Sequence, residues 1–308
     1  MEPRYHDLSF DADSCSWWCI LACVIPSVVT VDALLTKHDA LLLDAYGVLV
    51  DGSGVLPGAR EFIGELNRRR VRYAIVTNDA SRSPATYAQR FRGAGLSVGI
   101  EQIVTSGSLI PSYFAEHNLA GARTLVLGTE DSFQHVVDAG GIPVPMNEGL
   151  EIDAVVVCDD AGTPFLHGIE IALSAIVRAI DAGRRPALVL ANPDLVYPKG
   201  KGELGFTAGA MALLIETALA RRFHDTSYKF ELLGKPSPRL FLKGKSLLSA
   251  TNPVMIGDQL ETDIAGGLAA GVSAALLEGV SRWHEGSTIT PTYLLQSLSF
   301  DRVRHGSM

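Results

Sequence analysis

Cysteine is scarce in this sequence of 308 residues: only four are present. Cys15, Cys19 and Cys23 lie together and would share one face of a helix, a spacing that fits neither a disulfide framework nor the CxxC pairs of structural zinc sites. Stabilisation by disulfides or by structural zinc is therefore not expected.

Positive charge is also in short supply, because 26 Lys and Arg residues stand against 34 Asp and Glu residues, for a net charge of −8. Proteins that bind nucleic acids rely on basic patches to neutralise phosphates, and this sequence offers no basic stripe. We therefore expect no nucleic-acid partner. An acidic chain can still bind anions at a local site.

A hydrophobic run of full membrane-spanning length is lacking as well. The apolar segment 16–31 is slightly short, contains Pro26 and follows an acidic rather than a basic leader. We expect residues 1–30 to form an amino-terminal extension, with no membrane attachment and a cytoplasmic location. A cleaved signal or an anchor is the alternative for this segment.

What the sequence does contain is an apolar run that ends in an acid, LLLDAYGVLVDG. Residues 40–43 indicate a short buried strand, and Gly47 permits a bend that leaves the Asp44 carboxylate at the strand's carboxyl end. A carboxylate in that position can act as a nucleophile. Strands also often end in Asp for turn formation alone.

Further segments follow the same plan. A second apolar strand ends at Thr77 and Asn78, Lys235 lies on a loop ahead of two prolines, and a third strand ends at Asp258. Asp263 follows five residues later, where a helix is expected to begin. In this order, strand-Asp, strand-Thr, loop-Lys and strand-Gly-Asp resemble the four motifs of the haloacid dehalogenase superfamily of aspartate-nucleophile hydrolases.

The position of an inserted domain refines the resemblance. Thr77 lies only 33 residues after Asp44, whereas Lys235 lies 158 residues after Thr77, so the extra domain falls between the second and third motifs. This arrangement, with PGA at 57–59, ANPD at 191–194 and GDxxxTDIxGG at 257–267, resembles the NagD-like, class IIA branch. That branch includes nitrophenyl, phosphoglycolate and pyridoxal phosphate phosphatases.

Strands and helices alternate along the chain, which predicts parallel strands joined by right-handed crossovers. We therefore expect an α/β fold with a Rossmann-like parallel sheet core and an inserted α/β cap domain. The expected hydrolase core comprises residues 31–120 and 229–308, and the expected cap comprises residues 121–228.

Charge accounting predicts a cation in the site, because a phosphate dianion would be repelled by the aspartates. Mg²⁺ prefers oxygen ligands, and Asp44, the backbone carbonyl of Tyr46 and Asp258 would supply them. Lys235, as a catalytic residue, would neutralise charge between nucleophile and phosphate. Asp263 would orient Lys235 or a metal-bound water, or else serve only as a helix N-terminal acid.

The phosphate itself would be bound by Thr77, Asn78 and Lys235, together with backbone N–H groups at the start of the following helix. The ANPD segment supplies two further candidates. Asn192 and Asp194 would position the substrate or the cap. Turn formation around the intervening proline is the alternative for both residues.

Tyr46 departs from the family pattern, since phosphatases of this superfamily carry a second Asp there to protonate the leaving group. Tyrosine, with an ordinary pKa of about 10, could donate a proton but would be a poor base at neutral pH. General acid and base catalysis contributes about 10²–10⁴-fold to a rate. A slow phosphatase is therefore expected, with Tyr46 as its catalytic acid.

These observations predict an Mg²⁺-dependent hydrolase that acts on a small phosphorylated metabolite through an aspartyl-phosphate. A homodimer is compatible with this prediction, because related caps often mediate dimers. DAYG also resembles the 2-haloacid dehalogenases, although their cap lies between the first two motifs. The remaining alternative is a module that binds a phosphorylated ligand without turnover.

Overall fold

The computed structural model describes residues 25–200 and 203–301. The predictions for residues 1–24, including the three clustered cysteines, lie outside the described residues. Within the described ranges, no helix combines the length and apolar character needed to cross a bilayer.

Strands and helices alternate over most of the chain. The strands are β1 (Ser27–Val29), β2 (Ala40–Leu43), β3 (Val50–Asp51), β4 (Gly54–Val55), β5 (Tyr73–Thr77), β6 (Ile103–Thr105), β7 (Arg123–Leu127), β8 (Ile142–Pro143), β9 (Ala154–Val157), β10 (Ala187–Leu190), β11 (Val196–Gly200), β12 (Glu203–Phe206), β13 (Glu231–Leu232), β14 (Pro253–Gly257), β15 (Ser273–Leu277) and β16 (Tyr293–Leu295). The α-helices are α1 (Val31–Lys37), α2 (Ala59–Arg69), α3 (Pro84–Gly93), α4 (Ile110–Glu116), α5 (Glu130–Asp138), α6 (Phe165–Asp181), α7 (Ala208–Phe223), α8 (Pro238–Leu247) and α9 (Ala265–Ala269).

Two parallel sheets organise these elements. The first has seven strands in the order β1-β16-β15-β14-β2-β5-β6, and the second has five in the order β13-β10-β9-β7-β8. Two antiparallel hairpins, β3–β4 and β11–β12, stand apart from both sheets. The predicted α/β fold, a parallel sheet core with a second α/β unit inserted into it, is confirmed.

The central strands of the seven-stranded sheet are buried by helices. All four residues of β2 are buried, and so are all five of β5 and β14, which matches the continuous apolar runs of parallel strands covered on both faces. Helix α2 buries Ala59, Phe62 and Leu66, a spacing that places them on one helical face.

The domain boundaries predicted at 121 and 228 stay a prediction. Every strand between residues 123 and 190 belongs to the five-stranded sheet, which agrees with an insertion starting near residue 121. Strand β13 pairs with β10 in the same sheet, through Glu231 with Val189 and Leu232 with Leu190. We propose that the inserted unit continues through Leu232, four residues beyond the predicted boundary.

Candidate active site

Three candidate residues lie at the carboxyl ends of neighbouring strands. Strand β2 lies between β14 and β5 in the core sheet, and all three strands run parallel. Asp44 follows β2, Thr77 ends β5 and Asp258 follows β14. Because parallel strands end at the same edge of a sheet, these side chains meet in one place, at the carboxyl ends of the strands where open α/β sheets bind their ligands.

Gly47 allows the chain after Asp44 to pass close to Asp258. Its φ of +88° lies in the left-handed region, which glycine adopts without a steric penalty. A Cβ atom at position 47 would lie 2.0 Å from Oδ2 of Asp258. The turn therefore requires glycine both for its backbone angle and for the space that the Asp258 carboxylate occupies.

Lys235 joins two of the carboxylates. Its Nζ lies 2.7 Å from Oδ1 of Asp44 and 2.6 Å from Oδ1 of Asp263, and all three side chains are buried. The Asp44 Oδ1 atom also accepts a 2.7 Å hydrogen bond from the backbone N–H of Ala45. Asp263 Oδ2 accepts from the backbone N–H of Gln259, so both of its oxygens have protein partners.

The cluster carries more negative than positive charge. Burial alone would lower the pKa of Lys235, but the Asp263 and Asp44 carboxylates outweigh this effect and raise it, so the amine stays protonated. Burial and the nearby Asp263 raise the pKa of Asp44 well above its ordinary value and that of Asp258 to about 7. One ammonium therefore faces three carboxylates that are crowded together in a poorly solvated place.

A divalent cation fits this cluster. Asp44, Asp258 and Asp263 each offer an oxygen within 4.8 Å of the others. The buried Oδ1 atom of Asp258 has no hydrogen-bond partner among the described residues, an arrangement that is costly without a cation. Asp263 is occupied by Lys235 and Gln259, which leaves Asp44 and Asp258 as the carboxylates available to the ion.

Asn78 connects Lys235 to the inserted unit. Its Oδ1 accepts from the backbone N–H of Lys235 at 2.6 Å, and its Nδ2 donates to Asp194 Oδ1 at 2.9 Å and to the Lys235 carbonyl at 3.1 Å. Asn192 Oδ1 accepts from the backbone N–H of Asp194 at 3.1 Å, which forms the turn around Pro193. The structure thus brings Asn192 and Asp194 beside the predicted phosphate-binding residues.

Tyr46 is turned toward the inserted unit rather than left free in the site. Its hydroxyl donates a 3.0 Å hydrogen bond to the backbone carbonyl of Pro198 in β11. Burial and the neighbouring Asp51 raise the pKa of Tyr46, so the phenol is a weaker acid than an exposed tyrosine and even less of it is ionised at neutral pH. The Tyr46 side chain is therefore not placed to act as the acid and base that a carboxylate at this position would be.

A cavity of about 690 Å³ opens between the two sheets, above Asp44. Its walls include residues that the sequence analysis did not select, among them Asp159, Arg82 and Arg90. Asp159 follows β9, another buried apolar run that ends in acids. This is the same signal that singled out Asp44, and it could have identified Asp159 as well.

Asp159 has a testable effect on stability. Burial, with the charges of Asp160 and Asp79, raises its pKa to about 6, against the lowering effects of the hydrogen bond from the Ala161 N–H and of Arg82. An aspartate whose pKa is raised in the folded state stays protonated to a higher pH when folded than when unfolded. The free energy of unfolding therefore falls as pH rises from about 4 to 6. Because Asp159 is partly exposed, we discount this cost to about 1–2 kcal/mol.

Asp159→Asn is therefore expected to raise the free energy of unfolding at pH 8, where the wild type carries the charge, and to give no gain at pH 4. Urea unfolding at both values measures the difference. Asp225→Asn is the control, for which we expect a change in the opposite direction. Hydrogen bonds from Ser227 lower the pKa of Asp225, so this variant should have a lower free energy of unfolding at pH 8. Equal stability of Asp159→Asn and wild type at pH 8 would contradict the expectation.

Comparison with known proteins agrees with this geometry. Residues 41–142 match a family model described as haloacid dehalogenase-like hydrolase, and residues 232–299 match a related HAD-hydrolase-like model. These two segments contain Asp44, Thr77, Lys235 and Asp258.

Individual relatives cover most of the chain. An acid sugar phosphatase from Staphylococcus epidermidis is 26% identical over 86% of this chain and 97% of its own length. A dihydroxyacetone phosphatase from Corynebacterium glutamicum is also 26% identical, over 86% of this chain and 91% of its own length. Among solved structures, a glycerol phosphate phosphatase from Mycobacterium tuberculosis in complex with magnesium is similar, with a TM-score of 0.73 and a sequence identity of 30%. The match covers 86% of this chain and 76% of that one. The chain belongs to the haloacid dehalogenase-like hydrolases and, within them, to the NagD-like branch of phosphatases.

Proposed function

We propose that this enzyme hydrolyses the phosphate ester of a small polyol or sugar, with Asp44 as nucleophile and Mg²⁺ as cofactor. The observation that carries the proposal is the fixed carboxylate of Asp44 below the cavity, with one oxygen held by the buried Lys235 ammonium. The substrate class is supported by the names of three relatives: acid sugar phosphatase, dihydroxyacetone phosphatase and glycerol phosphate phosphatase.

The two oxygens of Asp44 have different surroundings. Oδ1 is occupied by Lys235 and by the N–H of Ala45, whereas Oδ2 has no hydrogen bond within the described part of the chain. We assign the attack on phosphorus to the Asp44 carboxylate: its bond to phosphorus forms as the bond from phosphorus to the ester oxygen breaks, and the alcohol leaves with a proton from solvent. Lys235 would hold the carboxylate in place and neutralise the charge that collects on the phosphoryl oxygens.

Thr77 is the proposed ligand of those oxygens. It is buried at the end of β5, beside Asp44, and its hydroxyl is a donor of suitable size. The Asn78 amide is occupied by Lys235 and Asp194, so we assign its side chain to positioning and its backbone N–H to the phosphate. Asn192 and Asp194 then position the inserted unit against the phosphate site.

Mg²⁺ would be held by Asp44, Asp258 and the Tyr46 carbonyl, with Asp263 supporting Lys235 rather than the ion. When bound, it would supply positive charge to the phosphoryl group and offset the repulsion between substrate and carboxylates. The need is electrostatic, because the three carboxylates, once ionised, carry more negative charge than one ammonium offsets, in a place where an anion must bind.

The leaving group receives no second carboxylate from position 46. Phosphoryl transfer depends mainly on positioning and charge neutralisation, so activity survives the loss of a contribution of about 10²–10⁴-fold. We therefore propose a slow enzyme, with hydrolysis of the aspartyl-phosphate as its slow step. A cytoplasmic location and a homodimer remain predictions alongside this function.

A substrate panel tests the proposal. Purified enzyme is incubated with dihydroxyacetone phosphate, glycerol 3-phosphate, p-nitrophenyl phosphate and 2-chloropropionate, each with Mg²⁺ and with EDTA. We expect phosphate release from the three esters in Mg²⁺ only, and no halide release. Metal-independent halide release would support the dehalogenase alternative, and tight phosphate binding without turnover would support the binding module.

Loss of the Asp258 carboxylate should weaken metal binding. Removing a group that merely supports a metal ligand typically costs about 10–100-fold in metal affinity, so Asp258→Asn should raise the half-saturating Mg²⁺ concentration at least about tenfold. A titration of activity against Mg²⁺ measures the change. Asp39→Asn is the control, since Asp39 binds Thr251 and Asn252 at the opposite end of β2. An unchanged Mg²⁺ requirement in Asp258→Asn would remove this residue from the proposed metal site.

A further inference from the structure

The hydrogen bond of Tyr46 joins two parts of the chain that lie 152 residues apart. Its hydroxyl belongs to the loop that follows the nucleophile, and the acceptor, the Pro198 carbonyl, belongs to the β11–β12 hairpin. Asp194, just before this hairpin, is already held by Asn78. Tyr46 therefore makes a second attachment, four residues further along the chain.

The Tyr46 end of this contact is firmly placed. Its backbone forms a bridge with Val50, and the N–H of Gly47 donates to the Val50 carbonyl at 2.8 Å. Ala45 and Val48, on either side, are buried. The tyrosine ring thus projects from a loop whose backbone is fixed by its own hydrogen bonds and by the core.

The hairpin end is less constrained by its own strand pairing. Pro198 pairs with Leu204, but the register of β11 and β12 shifts directly after Pro198. Proline has no N–H, so its carbonyl is the only backbone group at this position that can form a hydrogen bond. A hydrogen bond from outside the hairpin therefore adds a constraint on this part of β11 that its own strand pairing does not supply.

The contact also borders the substrate cavity. Tyr46 lines it from the core side, and Val196, Tyr197 and Lys199 line it from the hairpin. A tyrosine hydroxyl has one proton to donate, and here it is directed to Pro198. Protonation of a leaving group by Tyr46 would require this hydrogen bond to break.

We propose that Tyr46 is a positioning residue, whose hydroxyl holds β11 against the nucleophile loop and so fixes one wall of the substrate cavity. The proposal rests on the proposed function for its kinetic part, and it replaces proton donation as the role of the Tyr46 side chain. The Tyr46 carbonyl keeps its proposed place as a metal ligand.

Tyr46→Phe removes the hydroxyl and keeps the ring. A hydrogen bond of this kind corresponds to about a threefold to tenfold change in an equilibrium, so we expect KM for glycerol 3-phosphate to rise by that factor. We expect kcat to stay within about twofold of wild type, because removing uniform binding raises KM alone. The ratio of kcat for p-nitrophenyl phosphate to kcat for glycerol 3-phosphate should not change.

Hydrogen exchange supplies a readout that needs no turnover. Amides of β11 should exchange about threefold to tenfold faster in Tyr46→Phe than in wild type, because the hairpin opens more often. Tyr73→Phe is the matched control, since the Tyr73 hydroxyl also donates over 3.0 Å, to Asn67 Oδ1. Tyr73 is absent from the cavity lining, and its variant should change neither KM nor β11 exchange.

Two results would overturn the proposal. One is β11 exchange in Tyr46→Phe equal to that of wild type. The other is a loss of about 100-fold or more in kcat for glycerol 3-phosphate with p-nitrophenyl phosphate turnover retained, the signature of a lost general acid. If wild type hydrolyses no phosphate ester, the proposed function fails, whereas the exchange experiment still decides whether Tyr46 holds the hairpin.

Discussion

Asp44→Asn is expected to abolish turnover of every phosphate ester, with kcat reduced by about 10⁴-fold or more, as is usual when a covalent nucleophile is removed. The amide nitrogen or oxygen cannot replace the carboxylate in forming an acyl phosphate. The same change removes one of the two carboxylates that hold Lys235. Initial rates with glycerol 3-phosphate and p-nitrophenyl phosphate measure the loss, after circular dichroism has shown that the variant is folded.

The control for this variant lies at the other end of the same strand, just before it begins. Asp39 precedes β2 as Asp44 follows it, and its carboxylate caps the backbone around Thr251 at the far edge of the sheet. Asp39→Asn should therefore retain turnover within about twofold, since surface substitutions usually have small effects. Substantial turnover by Asp44→Asn would show that another group attacks the phosphate.

Lys235→Met should damage both activity and stability. Its ammonium is the partner of Asp44 and Asp263, and breaking a buried pair by removing one partner typically costs about 3–5 kcal/mol. In EDTA, the free energy of unfolding should fall by about that amount, because two buried carboxylates are left close together. We also expect kcat to fall by about 10²–10³-fold, as for other groups that stabilise transition-state charge.

Lys229→Met is the control for Lys235→Met, because it removes a lysine that is also paired with a carboxylate but lies at the surface. Lys229 pairs with Glu216 over 2.7 Å, the same length as the contact between Lys235 and Asp44, but its side chain is 57% exposed. Exposed pairs contribute about 0–1 kcal/mol, so the control should lose little stability and no activity. Similar losses of stability in the two variants would contradict the account of the buried cluster.

Much of the candidate site could be predicted from the sequence because its residues follow strands. Asp44, Thr77 and Asp258 each end an apolar run, and parallel strands bring such ends to one edge. A helix boundary can also be predicted where a capping residue marks it. Helix α3 begins at Pro84, and the side chain of Ser83 before it accepts a hydrogen bond from the Thr86 N–H.

Contacts between distant loops could not be predicted in this way. No local pattern indicates that the Tyr46 hydroxyl reaches Pro198 or that Asn78 binds both Lys235 and Asp194, because these contacts depend on how the inserted unit lies over the core. The strand β13 was missed for a similar reason. Its two residues, Glu231 and Leu232, are too few to give a periodic signal and are defined only by their pairing with β10.

The central claim is that the Asp44 carboxylate takes up the phosphoryl group, and chemical trapping tests it most directly. Enzyme turning over glycerol 3-phosphate in Mg²⁺ is quenched and treated with tritiated borohydride, which reduces an aspartyl-phosphate to homoserine, and the labelled peptide is identified by mass spectrometry. We expect labelled homoserine at position 44, and none without substrate or in Asp44→Asn. Label at another aspartate would contradict the account. So would its absence at position 44 under conditions where glycerol is released in a burst and the intermediate should therefore accumulate.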